Sequence, residues 1–448
     1  MKAILVLLFT ALICYFIWAV KIISDCKRNN LTIKEKVTDL WSNPFWIGPE
    51  KFEPVRKKVF VIFGSVCLGI YIIYHLSSLS NIGEVITFLS NTFIHSTSYL
   101  FVLLFLTLFL CRHSLKQRIV VALVELYFIV CIFRNKGYIG INTSLFLIPA
   151  FIFLLIANEL KTEKIIKIHF ILTFVLFASV SVLFAAGKIS SGDWTTLASR
   201  GSESGWLSMR YALGFVHPNT AGIILAVTVV MWFVIRSEKI KWYDWVIFVI
   251  AAAVITVVID SRGALLLLLV FAFTFILFKY LPKLYDCKII KYSAISLPAV
   301  CTVISFICAL FYNDNNSVWN KINNLSTGRL YLMKEFLAKY KFSFWGQITE
   351  KSVDNTYLCT FVQNGILVMA VIIPLYCLLI KRLWNKKATA ELSLVLSYMV
   401  YYLIEDGILL ITLNISLYLL SDLILFKPES EQQLLHKEKG KISSQINK

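Results

Sequence analysis

Uncharged apolar stretches of about twenty residues recur along nearly the whole chain. A backbone that crosses hydrocarbon must satisfy its own N–H and C=O groups, which leaves helices or closed barrels. The runs are continuous rather than alternating, and that pattern selects helices. The chain has 448 residues, 58% of them hydrophobic and only 16% charged, with a mean hydropathy of +0.75. A soluble core has no use for so much apolar surface. The expected fold class is therefore all-α, a polytopic membrane protein with roughly 12–13 transmembrane helices.

The candidate spans are 3–23, 59–79, 92–111, 119–133, 141–158, 168–186, 211–235, 245–259, 264–278, 293–312, 356–380, 390–404 and 407–426. The first is too long for a signal h-region and no small-x-small cleavage pattern follows, so it is read as a retained span. With 24–58 placed in the cytoplasm, about 31 Lys and Arg fall on that side and about 13 on the other, as the positive-inside rule requires. This puts the N-terminus outside, the basic tail 427–448 inside, and a long loop, 313–355, outside. Residues 1–426 form one membrane domain. The net charge of +18 is spread over short loops rather than gathered with aromatics, which argues for membrane topology and against nucleic acid. Of ten cysteines, Cys14, Cys67, Cys111, Cys131, Cys301, Cys308, Cys359 and Cys377 lie in apolar runs without CxxC or Cys/His spacing. They read as small core residues, and no metal, cofactor or disulfide framework is expected.

The least membrane-like residues gather at the ends facing outward. In "SMRYALGFVHPN", Arg210, Gly214 and His217 follow at i, i+4, i+7, which predicts one helical face left open by Gly214. Pro218 removes a donor and frees carbonyls, and Asn219 adds an amide. A proline kink with a satisfied histidine is the alternative. In "VVIDSRGALLLLL", a short break holds Ser261 and Arg262 at the membrane surface, where a guanidinium fork suits phosphate. The alternative is an ordinary hairpin with an Asp260–Arg262 pair at its tip. "STGRLYLMKEFLAKYKF" reads as an amphipathic helix on the membrane surface, capped by Ser326 or Thr327, with Leu330, Met333, Phe336, Leu337 and Tyr340 on one face. Gly328 and Arg329 then occupy its first turn, where free amides and a cation favour an anion; a water-facing arginine is the alternative. Asp354, Asn355 and Tyr357 stand where the long loop enters the next span. Capping explains an Asp or Asn there as well as chemistry does. Trp194, Trp206, Trp319 and Trp345 are placed for stacking on sugars or for an interfacial belt.

Four of these motifs, "LGFVHPNTAG", "DSRGALL", "TGRLY" and "DNTYLCTFVQNG", stand in an order that resembles the bacterial polysaccharide polymerases of the Wzy type and their relatives, the O-antigen ligases. The likeness runs from about Arg210 to Gly365 by motif and along the whole chain by hydropathy. "YLIEDGILLITLNISLYLL" adds Glu405 and Asn414. The resemblance implies an inverting, metal-independent glycosyltransferase without cofactor, acting on the extracytoplasmic face of the bacterial inner membrane. Its substrates would be lipid-linked oligosaccharides on undecaprenyl diphosphate, as in capsule, exopolysaccharide or O-antigen synthesis, with a chain-length regulator and a flippase as partners. Arg210, Arg262 and Arg329 would hold the diphosphate. Asp354 and His217 compete as the base. Gly214, Pro218, Asn219, Ser261, Gly328, Asn355, Tyr357 and Glu405 would shape the site. The related ligases often carry a His before the Asn at this junction; this chain departs from that with Asp354, which counts against the ligase reading. Transfer to another acceptor and a flippase or transporter are the rival functions. A transporter would show internal repeats and mid-membrane polar sites, and the sequence shows neither.

Overall fold

The computed structural model describes residues 32–42, 50–86, 162–192, 194–197, 207–326, 328–350 and 352–424, with a few single positions before 27 and between 114 and 119. The predicted spans 3–23, 92–111, 119–133 and 141–158, Trp206, Thr327 and the tail 427–448 lie outside the described residues. The protein is a helical bundle. After a short helix α1 (Ile33–Ser42) come α2 (Glu53–Ser78) and α3 (Thr162–Ala185), then α4 (Pro218–Ile235), α5 (Trp242–Ala253), α6 (Arg262–Tyr280), α7 (Lys288–Phe311), α8 (Ser317–Leu325), α9 (Arg329–Lys339), α10 (Thr356–Gln363), α11 (Ile366–Asn385), α12 (Thr389–Tyr401) and α13 (Ser416–Ile424). Between α3 and α4 lies an antiparallel pair, β1 (Trp194–Leu197) and β2 (Leu207–Arg210), in register Trp194 to Arg210. Seven helices among the described residues are long and apolar enough to cross a membrane: α2, α3, α4, α5 with its extension to Ile259, α6, α7 and α11. The chain is thus an all-α, multi-pass membrane protein.

Four spans differ from the pattern in the sequence. The stretch 211–235 is helical only from Pro218, which occupies the first helical position, where no N–H is needed. Ahead of it the chain turns through Leu213 and Gly214, both at positive φ. That turn is tied to the end of α2, with Asn81 N donating to Gly214 O (2.9 Å) and Val216 N donating to Leu79 O (3.1 Å). Arg210, Gly214 and His217 therefore do not share a helical face: they are a strand end, a left-handed turn and an N-cap. The stretch 356–380 is broken at Gly365, whose φ of 93° ends α10 and starts α11. Residues 343–346 pass against this break, and a Cβ on Gly365 would meet Phe344 O at 2.3 Å. One on Gly346 would meet Gln363 O at 2.0 Å.

The last two spans also depart from expectation. α12 has 13 residues, about 20 Å of helix, and is buried along nearly its whole length between α4, α6 and α11. Residues 402–415 turn repeatedly before the nine residues of α13. Irregular backbone inside a bundle needs internal partners. Tyr398 OH supplies one by donating to Leu413 O (2.6 Å), and Asn414 Nδ2 another by donating to Ile408 O (2.5 Å).

α9 forms where the amphipathic pattern predicted it, with Leu330, Met333 and Phe336 buried. That face lies on protein rather than on lipid. Met333 and Phe336 join Ala309 of α7 and Leu358, Cys359 and Val362 of α10 in a separate small core. Its N-cap is Gly328, left-handed at φ 83°, without a side-chain cap, so Ser326 does not play that part. α8 precedes it, capped by Asn316 and joined to α9 by Asn323 Oδ1, which accepts from Tyr331 N (3.1 Å). The pattern in the sequence did not suggest α8.

Candidate functional site

The end of α5 creates the first half of the site. Its α-helix widens into a π-turn over Val254–Ile259, and Asp260 leaves it in the left-handed conformation at φ 51°. Such bulges store local strain and cluster at functional positions. Arg210, at the end of β2, is buried and reads this turn: its Nη2 donates to Asp260 O (2.7 Å) and to Asn219 Oδ1 (2.7 Å). Its Nε lies 3.7 Å from Asp260 Oδ2. Asp260 thus pairs with Arg210, 50 residues away, and not with Arg262 beside it. Asn219 is in the first turn of α4, which His217 caps by accepting from Asn219 N at Nδ1 (3.0 Å). Burial, and then the Arg210 charge, hold the His217 imidazole below its usual range, with Asp354 pulling the other way.

The second half comes from three other segments. Arg329 opens α9 and bridges two carboxylates, donating from Nη2 to Glu405 Oε1 (2.8 Å) and from Nε to Asp354 Oδ2 (3.2 Å). The turn bearing Glu405 is tied to the start of α10. Thr356 N donates to Glu405 O (3.1 Å) and Asn355 Nδ2 donates to Leu403 O (2.9 Å). This explains why Asp354 and Glu405 meet on one guanidinium. Asn219 Nδ2 reaches Glu405 Oε1 at 3.4 Å and joins the two halves. Gly263 completes the pocket around Glu405, since a Cβ there would stand 2.9 Å from Oε1. Burial pushes the Glu405 carboxyl up to about 7 against the pull of Arg329, with Asp354 and Asp406 adding to the rise.

These groups surround a cavity of about 290 Å3 at one end of the bundle. Arg210, Arg262 and Arg329 all line it, with Asn219, Asp260 and Glu405 between them and Ile322, Leu325 and Ile404 as apolar walls. Arg262 is exposed at the first position of α6. Among the described residues no carboxylate pairs with it, whereas Arg210 and Arg329 are both paired. Guanidiniums are the groups that bind phosphates and carboxylates bidentately, and here Arg262 is the one of the three without a carboxylate partner among the described residues.

The remaining candidates hold the frame. Asn355 is a buried N-cap, accepting from Leu358 N (3.0 Å) and donating to Ser305 Oγ (2.9 Å). Tyr357 is buried and donates to Met399 O (2.7 Å). Ser261 packs against Gly222, where a Cβ would come within 2.6 Å of its own. Gly214, Pro218 and Gly328 set turns and helix starts. His217 and Asp354 are not among the lining residues, and Asp354 touches the site through Arg329. Trp319 packs beside Tyr312 at a ring separation of 6.4 Å, and neither it nor Trp345 lines the cavity. Asp260, Ile322 and Leu325 were not singled out as site residues. Asp260 lies in the DSRG motif, but its partner Arg210 is 50 residues away and beyond the reach of local spacing. Among the described residues no cluster of His, Cys, Asp or Glu could hold a metal ion.

Fold and site together define a multi-pass, all-α membrane protein with an arginine-lined cavity at one end of its bundle. No protein family, curated protein or solved structure matches the chain.

Proposed function

We propose that the protein is a polysaccharide polymerase. It joins oligosaccharide repeat units carried on a polyprenyl diphosphate, at the extracytoplasmic face of the bacterial inner membrane, by inverting, metal-independent glycosyl transfer. The observation that carries this reading is the meeting of Arg210, Arg262 and Arg329, from three separate segments, around one cavity. Negative charge grows on the diphosphate as it leaves the sugar, and fixed cations stabilise it without reorganising. A volume of about 290 Å3 suits a diphosphate and the sugar next to it, with the rest of the glycan outside. Ile322, Leu325 and Ile404 give the first isoprene carbons an apolar wall. The distribution of Lys and Arg supports an outward-facing site, an N-terminus outside and a tail inside. The polar groups collect at one end of the bundle, which favours an enzyme over a transporter.

The test is the glycan profile of cells whose surface polysaccharide depends on this chain. Arg262→Ala is expected to leave only single repeats on the lipid carrier, with the protein at its normal level in the membrane. Arg262→Lys should rescue poorly, because the bidentate fork is lost. Long polymer accumulating on the carrier without transfer to a final acceptor would identify a ligase instead. Unchanged chain length in Arg262→Ala would end the diphosphate reading.

A further inference from the structure

We propose that Glu405 accepts the proton of the acceptor sugar's hydroxyl and is the catalytic base of the transfer. The inference rests on the glycosyl-transfer reading above. Four features support it.

The first is place. Glu405 lines the same cavity as the three arginines, so a hydroxyl approaching a sugar whose diphosphate is held there would meet it. The second is the division of its oxygens. Oε1 is held by Arg329 Nη2 and Asn219 Nδ2 and walled by Gly263. Among the described residues no donor reaches Oε2, which leaves that oxygen for an incoming hydroxyl.

The third is the surrounding charge. Arg329 faces Glu405 from α9, Asp354 from ahead of α10 and Asp406 from its own turn. Arg210 and Arg262 share the cavity, and Tyr401 stands behind on α12. Burial with these neighbours gives a carboxyl balanced near 7, and a general base works best when its proton affinity matches the working pH.

The fourth is the competition. Asp354 is half-exposed and does not line the cavity. His217 spends Nδ1 on capping α4. Asp260 lies beside Arg210.

The step balances. The acceptor oxygen forms a bond to the anomeric carbon as the bond from that carbon to the diphosphate oxygen breaks. The bonding electron pair leaves with the diphosphate, between the guanidiniums. The hydroxyl proton passes to Glu405 Oε2 and from there to water.

The experiment uses the full-length protein in proteoliposomes, with lipid-linked repeats extracted from the producing cells and undecaprenyl diphosphate as a binding probe. Single-turnover rates are measured between about pH 5.5 and about pH 9. The wild-type rate should fall about tenfold per pH unit below about 7. Glu405→Gln should bind the probe within about twofold of wild type, run on the order of 100-fold slower or worse, and lose the acid limb. In Asp354→Asn the limb should remain. The base assignment is overturned if Glu405→Gln keeps the wild-type rate or its limb. It is equally overturned if the limb vanishes in Asp354→Asn, which decides the matter even if Glu405→Gln does not accumulate. A wild-type protein that neither binds the probe nor forms a glycosidic bond would instead overturn the glycosyl-transfer reading.

Discussion

A β-carbon on Gly263 would stand 2.9 Å from Glu405 Oε1 and 3.0 Å from its Cγ. The first turn of α6 thereby sets where that carboxylate sits. The atoms that would have to move belong to the end of a flexible side chain, so Gly263→Ala should fold and insert normally. Glu405 would swing away from Arg329 and Asn219. Chain extension is expected to drop about tenfold or more while membrane protein level stays constant, as measured by glycan ladders beside immunoblots. Full extension in Gly263→Ala would show that the carboxylate's position is irrelevant.

Arg329→Ala removes the cation that, among the described residues, is bonded to both Glu405 and Asp354. The Arg329 charge lowers the proton affinity of Glu405, so its loss should move the acid limb of the pH–rate profile upward, beyond about 7. Diphosphate binding should weaken in the same variant. A limb that stays in place would mean that Glu405 is not the titrating group.

Asn355→Ala should fail differently. It removes an N-cap worth about 1 kcal/mol and takes the side-chain donor from Leu403 O, at about 1 kcal/mol or more, while Ser305 Oγ keeps its bond to Cys301 O. The expected result is a lower yield of folded protein and earlier thermal unfolding in detergent, with residual activity scaling with the amount of folded material. Loss of activity at normal yield and stability would move Asn355 from the frame into the chemistry.

Burial of Glu405 also couples folding to pH. A raised carboxyl favours the protonated form in the folded protein. That contribution is full below the ordinary carboxylate range and is lost as pH rises through about 7. Glutamine stays neutral throughout. Glu405→Gln should therefore gain thermal stability relative to wild type on going from about pH 6 to about pH 8.5. A pH-independent difference between the two proteins would contradict this.

The long apolar helices were legible because hydrocarbon leaves few choices. The stretch 168–186 became Thr162–Ala185, and 293–312 became Lys288–Phe311. What hydropathy missed are the places where apolar residues do not form helix. Ala212, Leu213, Phe215 and Val216 look like the start of a span, yet the chain turns there, because Phe215 and Ala212 bury themselves at the end of α2 and α3 instead. The break at Gly365 depends on residues 343–346 passing by, which no local window contains. The three arginines were conspicuous in the sequence as charges at helix ends. Their partners were not: Asp260 finds Arg210, and Glu405 finds Arg329 at a separation of 76 residues, through the packing of α4, α6, α9 and α10.

One wall of the hollow is greasy. Ile322 and Leu325 on α8 line the same hollow as the guanidiniums, so under the proposed function a headgroup's charge and the hydrocarbon next to it would be met at the same spot. A water-soluble sugar diphosphate meets only half of that reception. Under the proposed function an amphiphile would meet both halves, so a preference for a tail would precede recognition of any sugar.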